Sequence, residues 1–422
     1  MSDRHLVRLL LLNQFTIKLG FNLLMPYLAV HLTHGLGLAA WAVGLVMGVR
    51  NASQRGMALV GGYLADRLGC RITVLAGCGL RAAGFALLGF ADGVTALVVA
   101  SAVTGFAGAL FDPGVRSLLA VTADDRVRAF GWFNMAGQAG LLLGPLAGLA
   151  LSGLDFRVVA LAAAGVFVLL TVLQGIGLPA LPPEPRQKRS GWRIVLGNRP
   201  FWCFALAMTG SYVLSFQVYL ALPLVMGRAL GPEQDLGVGE MFALSALLVI
   251  TLQGRVSAWA TRRMTAPRSM ATGLAVMALA FTPLVAWPSP LPPAFAGMGE
   301  ELAEHLATAP MLVGAALLAL GTMLICPWEM DVIVALSGGR LVATHYGVYA
   351  TLSGLGVTVG TLATGTIWDA ALRWDLAWLP WAALVVIGGG CALAMTLLER
   401  LRLLGQPSPK GKHHADPALT ER

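Results

Sequence analysis

Gly62-Tyr63-Leu64-Ala65-Asp66-Arg67-Leu68-Gly69-Cys70-Arg71 lies between two long apolar runs, and the fold can be read from it. Gly62 has no side chain to hold a neighbouring helix away, and Gly69 permits a tight turn. Asp66 and Arg67 can bond helix ends or adjacent helices, as a latch that opens and closes. Arg71 adds a second base within one turn. Apolar runs of membrane length on either side make the stretch a short loop pinned at a bilayer surface.

Working outward, the same pattern repeats along the chain. Of 422 residues, 57% are hydrophobic and 12% are charged, whereas a soluble domain has roughly 25% charged residues. A helix needs about 20 apolar residues to span the hydrocarbon. Runs of that length fall near 7–32, 41–64, 72–91, 95–116, 129–152 and 157–179, and again near 201–227, 236–257, 268–287, 310–335, 346–368 and 378–398. The expected class is an all-α membrane protein with twelve transmembrane helices. A single soluble core has no use for a dozen such runs.

Basic residues set the orientation. Arg4 and Arg8, Arg67 and Arg71, Arg126 and Arg128, the group Arg186 to Arg199, Arg255 to Arg268, Arg340 and the residues from Arg400 onward all fall on one side. Only Arg157, Arg228 and Arg373 fall on the other. Both termini are therefore expected in the cytoplasm, with the chain in the cytoplasmic (inner) membrane. The net charge of +8 follows from this asymmetry and points to an anionic leaflet, not to nucleic acid. The first apolar run is too long for a cleavable signal peptide and lacks a small-residue cleavage site. Cys70, Cys78, Cys203, Cys326 and Cys391 have no metal spacing, and no disulfide is expected on the cytoplasmic side.

The Pro-, Arg- and Lys-rich stretch 181–199 reads as a cytoplasmic linker. It divides the chain into a six-helix bundle at 1–180 and a second at 200–398, with a tail at 399–422. The halves share traces of each other. The fourth helix of the first half ends Phe111-Asp112-Pro113-Gly114-Val115-Arg116, and that of the second ends Ile325-Cys326-Pro327-Trp328-Glu329-Met330-Asp331. The fifth helices carry glycine stripes: Gly140, Gly144 and Gly148 in one, Gly356 and Gly360 in the other. Such pseudo-symmetric repeats place a substrate site between the halves, with rocking as the motion.

The opening stretch resembles the signature loop between helices 2 and 3 of the major facilitator superfamily. Gly140-Leu141-Leu142-Leu143-Gly144-Pro145-Leu146-Ala147-Gly148 resembles the helix-5 motif of its drug:proton antiporter branch. The resemblance implies a proton-coupled exporter that works by alternating access. It assigns Gly62, Asp66, Arg67, Gly69, Arg71 and Arg116 to the cytoplasmic gate. Pro145 bends the helix, and glycines four apart allow close packing, which glycine stripes also serve in many other membrane proteins. The arginine that many drug antiporters carry in helix 4 is absent, with Ser101 in its place. The ending of helix 4, an arginine in helix 2 and Asp155-Phe156-Arg157 are similar to the MdtH-type multidrug transporters.

Ionisable groups at membrane depth are costly and usually face a cavity. Gln14, Lys18 and Asn22 form one polar stripe at i, i+4 and i+8, with Lys18 near mid-membrane. Arg50 with Gln54, Asn134 with Gln138, and Ser215 with Tyr219 and Tyr212 make similar stripes. These ten residues are the expected substrate walls. Arg55 and Arg81 read more readily as structural. Unpaired Lys18 and Arg50 make the pocket electropositive, which favours an anionic or zwitterionic substrate such as a carboxylate-bearing metabolite or siderophore.

Proton coupling calls for a group that can gain and lose a proton. Carboxylates in low dielectric suit the task, and Asp112, Glu329 and Asp331 are the candidates. Asp112 has a competing task in a gate cluster with Asp66, Arg67 and Arg116. No hydrolase elbow, phosphate-binding loop, zinc pattern or dinucleotide fingerprint occurs in a usable context, so neither an enzyme nor a cofactor is expected. A monomer is expected. The rival readings are an importer or flippase of the same fold, and a transporter-like receptor that signals without moving its ligand.

Overall fold

The computed structural model describes residues 3–38, 40–91, 93–149, 155–179, 191–230, 234–286 and 300–403. Every regular element in that set is helical. The first half comprises α1 (Asp3–Val30), α2 (Ala40–Gly56), α3 (Ala58–Leu68), α4 (Cys70–Phe90), α5 (Val94–Thr122), α6 (Arg126–Leu149) and α7 (Phe156–Gly177). A short connector, α8 (Gly191–Leu196), leads to α9 (Arg199–Phe216), α10 (Ala221–Leu230), α11 (Gln234–Arg263), α12 (Ala266–Leu279), α13 (Thr282–Ala286), α14 (Glu300–Ser337), α15 (Val342–Trp374) and α16 (Leu379–Arg400).

The chain makes twelve crossings, in two bundles of six. Nine stretches among the described residues are long and apolar enough to cross a membrane. The other three crossings are α1, the α2–α3 pair and α6. Each of these three carries polar residues at membrane depth: Gln14, Lys18 and Asn22 on α1, Arg50 and Gln54 on α2, and Asn134 and Gln138 on α6. Two crossings expected as single runs are interrupted. The run at 41–64 breaks at Met57 between α2 and α3, and the run at 201–227 breaks at a 3-10 turn, Gln217–Tyr219, between α9 and α10. Residues 150–154, 180–190 and those from 404 lie outside the described residues, and with them Arg186, Lys188 and Arg189.

Within the first bundle α1 packs along α6, and α4 against α5 and α7. Within the second, α12 packs against α14 and α16. The bundles meet where α3 lies on α15 and α6 on α11 and α14. Because crossings alternate, the start of α1, the Gly69 turn and the end of α16 share one face of the molecule, here termed the gate face. Gly69 sits at φ 94°, a left-handed conformation that favours glycine, so α3 stops and α4 starts in a single residue.

Candidate functional site

On the gate face the two bundles touch backbone to backbone. A Cβ on Gly62 would collide with the carbonyl of Ala343 and fall 3.1 Å from Thr344 Cα. A Cβ on Gly347 would fall 3.1 Å from Leu59 Cα. This closeness lets Asp66, buried on α3, reach the first turn of α15. Its carboxylate accepts from the N–H of Ala343 at 3.2 Å, the N–H of Thr344 at 2.7 Å and the Thr344 hydroxyl at 2.5 Å. The residue that opens α15, Leu341, has φ 51° and no capping side chain. Free N–H groups of a helix start attract a carboxylate, so the acid of one bundle caps a helix of the other.

Three further contacts cross between the bundles on this face. The hydroxyl of Thr351 on α15 accepts from Leu59 N–H at 3.2 Å and donates to the Arg55 carbonyl at 3.0 Å. It thereby serves two backbone groups at the α2–α3 break. Arg126 lies 3.7 Å from Asp331. Asn134 on α6 donates to Gln253 on α11 at 2.9 Å, and fully buried Gln253 donates on to Ser257 at 2.9 Å and the Met323 carbonyl at 3.1 Å. Asn134, expected on a substrate wall, is thus placed in a cross-bundle link.

The single charge cluster expected of Asp66, Arg67, Asp112 and Arg116 is divided in the fold. Arg116 pairs with Asp112 at 3.3 Å, one turn away on the same helix. It also touches Met330 Sδ of the other bundle at 3.2 Å. Arg67 is exposed and donates to the Tyr63 hydroxyl at 3.1 Å. Arg71 donates to the Gly175 carbonyl at 2.6 Å, tying the loop to α7 within its own bundle.

The two stripes read from α1 and α6 turn out to be one interface. Gly137, Gly140 and Gly144 face Gln14, Lys18 and Asn22 in register. A Cβ on Gly140 would fall 2.8 Å from Lys18 Cβ, and one on Gly144 would fall 2.6 Å from Asn22 Cβ. Gln14 is buried there, and Asn22 donates to the Lys18 carbonyl at 2.7 Å. Pro145 lies within α6; the surroundings of Gly148 lie outside the described residues.

Lys18 alone of that stripe runs on into open space. It is exposed although it sits midway along α1, and it lies within electrostatic reach of Arg55, Arg81, Asp112 and Arg116. It therefore faces an internal cavity. Arg50 and Arg81 are buried around the Phe21 ring, at 4.5 and 5.7 Å from its centroid. Arg50 donates to Asn51 at 2.6 Å and reaches Gln54 at 3.5 Å, while Arg81 donates to the Thr104 carbonyl at 3.1 Å. Neither pairs with a carboxylate among the described residues. Ser101, in the place of the missing helix-4 arginine, is fully buried with no partner for its hydroxyl among the described residues.

Across the interface, Glu329 is buried on α14 and accepts from the hydroxyl of Tyr349 on α15. Tyr212 on α9 stands edge-on to Tyr349, with ring centroids 5.8 Å apart. Of the three candidate coupling carboxylates, Asp112 and Asp331 each hold an arginine and Glu329 holds tyrosines. Nearby, Gln138, Ser215 and Tyr219 line one cavity of about 140 Å³ with apolar residues of α11 and α14. Tyr219 is 54% exposed there and lies against the Phe216 and Phe242 rings.

Sequence reasoning passed over Thr351, Tyr349, Gln253 and Thr344, and read Arg55 as structural. Arg55 packs its stem on Gly354 of α15 and has no ion pair among the described residues. Its only sequence signal was a base in a predicted span, which reads equally well as a snorkelling residue. The others are ordinary polar residues; Thr344 and Thr351 meet partners 278 and 292 positions away, and Tyr349 and Gln253 meet theirs on other helices.

Two six-helix bundles joined at one face around a polar interior have the architecture of a membrane transporter. The chain belongs to the Major Facilitator Superfamily, whose family model matches residues 10–303. It is 47% identical over 399 residues to an uncharacterized MFS-type transporter of Mycobacterium tuberculosis, covering 93% of this chain and 92% of that one. It is 30% identical over 383 residues to the multidrug resistance protein MdtH of Yersinia pestis, covering 90% of each. Among solved structures, the E. coli fucose:proton symporter shares the fold with a TM-score of 0.71 at 14% identity, over 94% of this chain and 99% of that one. The human organic anion transporter MFSD10 shares it with a TM-score of 0.66 at 16% identity, over 94% and 100%.

Proposed function

We propose that this protein is a proton-coupled exporter of small molecules, working as a monomer in the cytoplasmic membrane by alternating access. The gate face is the cytoplasmic face, and both termini lie there. Residues 1–180 and 200–398 are the moving halves, with 181–199 as linker and 399–422 as tail. The relative named for multidrug resistance supports export, as does the helix-5 glycine motif.

One observation carries the substrate reading. Lys18 lies within electrostatic reach of Arg55, Arg81 and Arg116, and Arg50 of Arg55 and Arg81, with only Asp112 and Glu329 as acids acting on this group among the described residues. Uncompensated charge in a low-dielectric interior is expensive. A substrate bearing a carboxylate or similar anion lowers that cost, with Lys18 as its partner. A dedicated exporter of an anionic metabolite, siderophores included, fits the same charge excess. Glu329 is the proton carrier in this reading, because a carboxyl among tyrosines can be neutral or charged without breaking an ion pair. Asp112 and Asp331 hold the gate.

Inverted membrane vesicles test this directly. Anionic and cationic compounds are added in turn, and lumenal proton loss is followed in wild type, Lys18→Ala and Glu329→Gln. The expected result is an anion-evoked signal, absent from both variants. A cation-evoked signal indifferent to Lys18 overturns the anion reading and leaves ordinary multidrug export. Binding without flux in any direction supports a receptor instead.

A further inference from the structure

On the gate face, away from the α3–α15 contact, the start of α12 and the end of α16 flank a cavity of about 440 Å³ lined by Arg268, Thr396, Glu399, Arg400 and Arg402. Glu399 is already engaged. It accepts from Arg268 Nε at 3.3 Å and from the Thr265 hydroxyl at 2.9 Å, which ties the start of α12 to the end of α16. That leaves Arg400 and Arg402 with no carboxylate of their own among the described residues.

The backbone at Arg402 makes the arrangement specific. The helix end is closed by a bond from Leu403 N–H to the Leu398 carbonyl at 3.2 Å and one from Arg402 N–H to the Glu399 carbonyl at 3.0 Å. In that termination the residue after the cap adopts the left-handed conformation and is usually glycine. Here it is Arg402, at φ 53°. A strained arginine in a glycine position brings its guanidinium round to the cavity that Arg268 and Arg400 also line. Below the cavity, α16 presents Val386, Leu393 and Leu397, spaced seven and four apart and 72%, 61% and 47% exposed. This is an apolar track on one helix face that begins where the arginines stop.

We propose that this cavity binds the headgroup of an anionic phospholipid in the leaflet on the gate face. The phosphate sits between Arg400 and Arg402, with Arg268 beside it, and an acyl chain lies along Val386, Leu393 and Leu397. The site is independent of what the central cavity carries. A basic pocket between helices at this depth matches anionic headgroups in charge and position. A zwitterionic lipid brings a cation that the arginines repel.

The test titrates phosphatidylglycerol into the purified full-length protein in neutral detergent and counts retained lipid by native mass spectrometry. Phosphatidylcholine of the same chains and glycerol 3-phosphate run in parallel. The variant is Arg400→Gln with Arg402→Gly, since glycine relieves the strained backbone and keeps the helix end intact. Two arginines at roughly 1 kcal/mol each predict about thirtyfold weaker retention of phosphatidylglycerol. Phosphatidylcholine retention is expected to be low and unchanged. Equal retention by variant and wild type overturns the proposal, and so does equal retention of the two lipids. Displacement of the lipid by glycerol 3-phosphate at matching concentration also overturns it, because the site then takes a soluble anion. Should the double variant fail to fold, Arg402→Gly alone is expected to lose about fivefold, and no loss refutes the site.

Discussion

Asp66 and Thr344 are 278 residues apart in sequence, and the Thr344 hydroxyl donates to the Asp66 carboxylate at 2.5 Å. The same carboxylate takes two N–H groups of the α15 first turn, so the helix start of one bundle is capped from the other. In the proposed alternating-access cycle the contact exists only while the gate face is closed. Its strength therefore enters the balance between the closed and open gate.

Replacing Asp66 with Asn keeps the shape and removes the charge. Hydrogen bonds to charged groups are worth about 1.5–3 kcal/mol, so the gate equilibrium is expected to move toward open by roughly ten- to a hundredfold. Half-buried Cys326 provides the readout. With the other four cysteines replaced by serine, maleimide labelling of Cys326 from the gate face is expected to speed up in Asp66→Asn. An unchanged rate means that the cap does not hold the gate.

Gly62→Val addresses the closest approach. The added side chain meets the Ala343 carbonyl and Thr344 Cα, which are backbone and cannot rotate away. The gate face is expected to stay open and transport to be lost, while the protein remains folded because each bundle keeps its own packing. Spin labels across the α3–α15 contact are expected to report a single, longer distance. A bimodal distribution like wild type counts against the collision.

Thr351→Val leaves the Leu59 N–H and the Arg55 carbonyl without their cross-bundle partner at the α2–α3 break. An unsatisfied buried backbone group costs about 1–3 kcal/mol. Hydrogen exchange at residues 57–61 is expected to accelerate about tenfold or more. Thr351→Ser is expected to restore wild-type exchange, because it keeps the hydroxyl. Slow exchange in the valine variant shows that another group takes over.

Arg126 and Asp331 face each other across the bundles at 3.7 Å, and the arginine is partly exposed. Such a pair is worth about 0.2–1 kcal/mol. Arg126→Asp is expected to slow transport modestly by placing like charges together. The exchanged double variant, Arg126→Asp with Asp331→Arg, is expected to recover most of it. Failure of the exchange to recover activity gives Asp331 a task other than pairing.

Sequence by itself determined the class of molecule and its topology. Twelve apolar runs, a charged Gly62–Arg71 loop and a one-sided distribution of arginine leave few folds open, because the bilayer forces helices of one length and penalises stray charge. It also singled out Gly62 and Asp66, since both chemistries are local to one loop. It could not place their partners. Ala343, Thr344 and Thr351 are unremarkable in a list of residues and acquire their roles only when α3 lies on α15. The α1 and α6 stripes were legible as two features, and only packing made them one interface that buries Gln14 and leaves Lys18 in the cavity. The same holds for Asp112, Glu329 and Asp331. They are three similar acids in sequence, told apart once tertiary structure gives two of them an arginine and the third a tyrosine. Helix identity comes from local periodicity and solvent, whereas charge pairing depends on distances between helices that only the assembled bundles set.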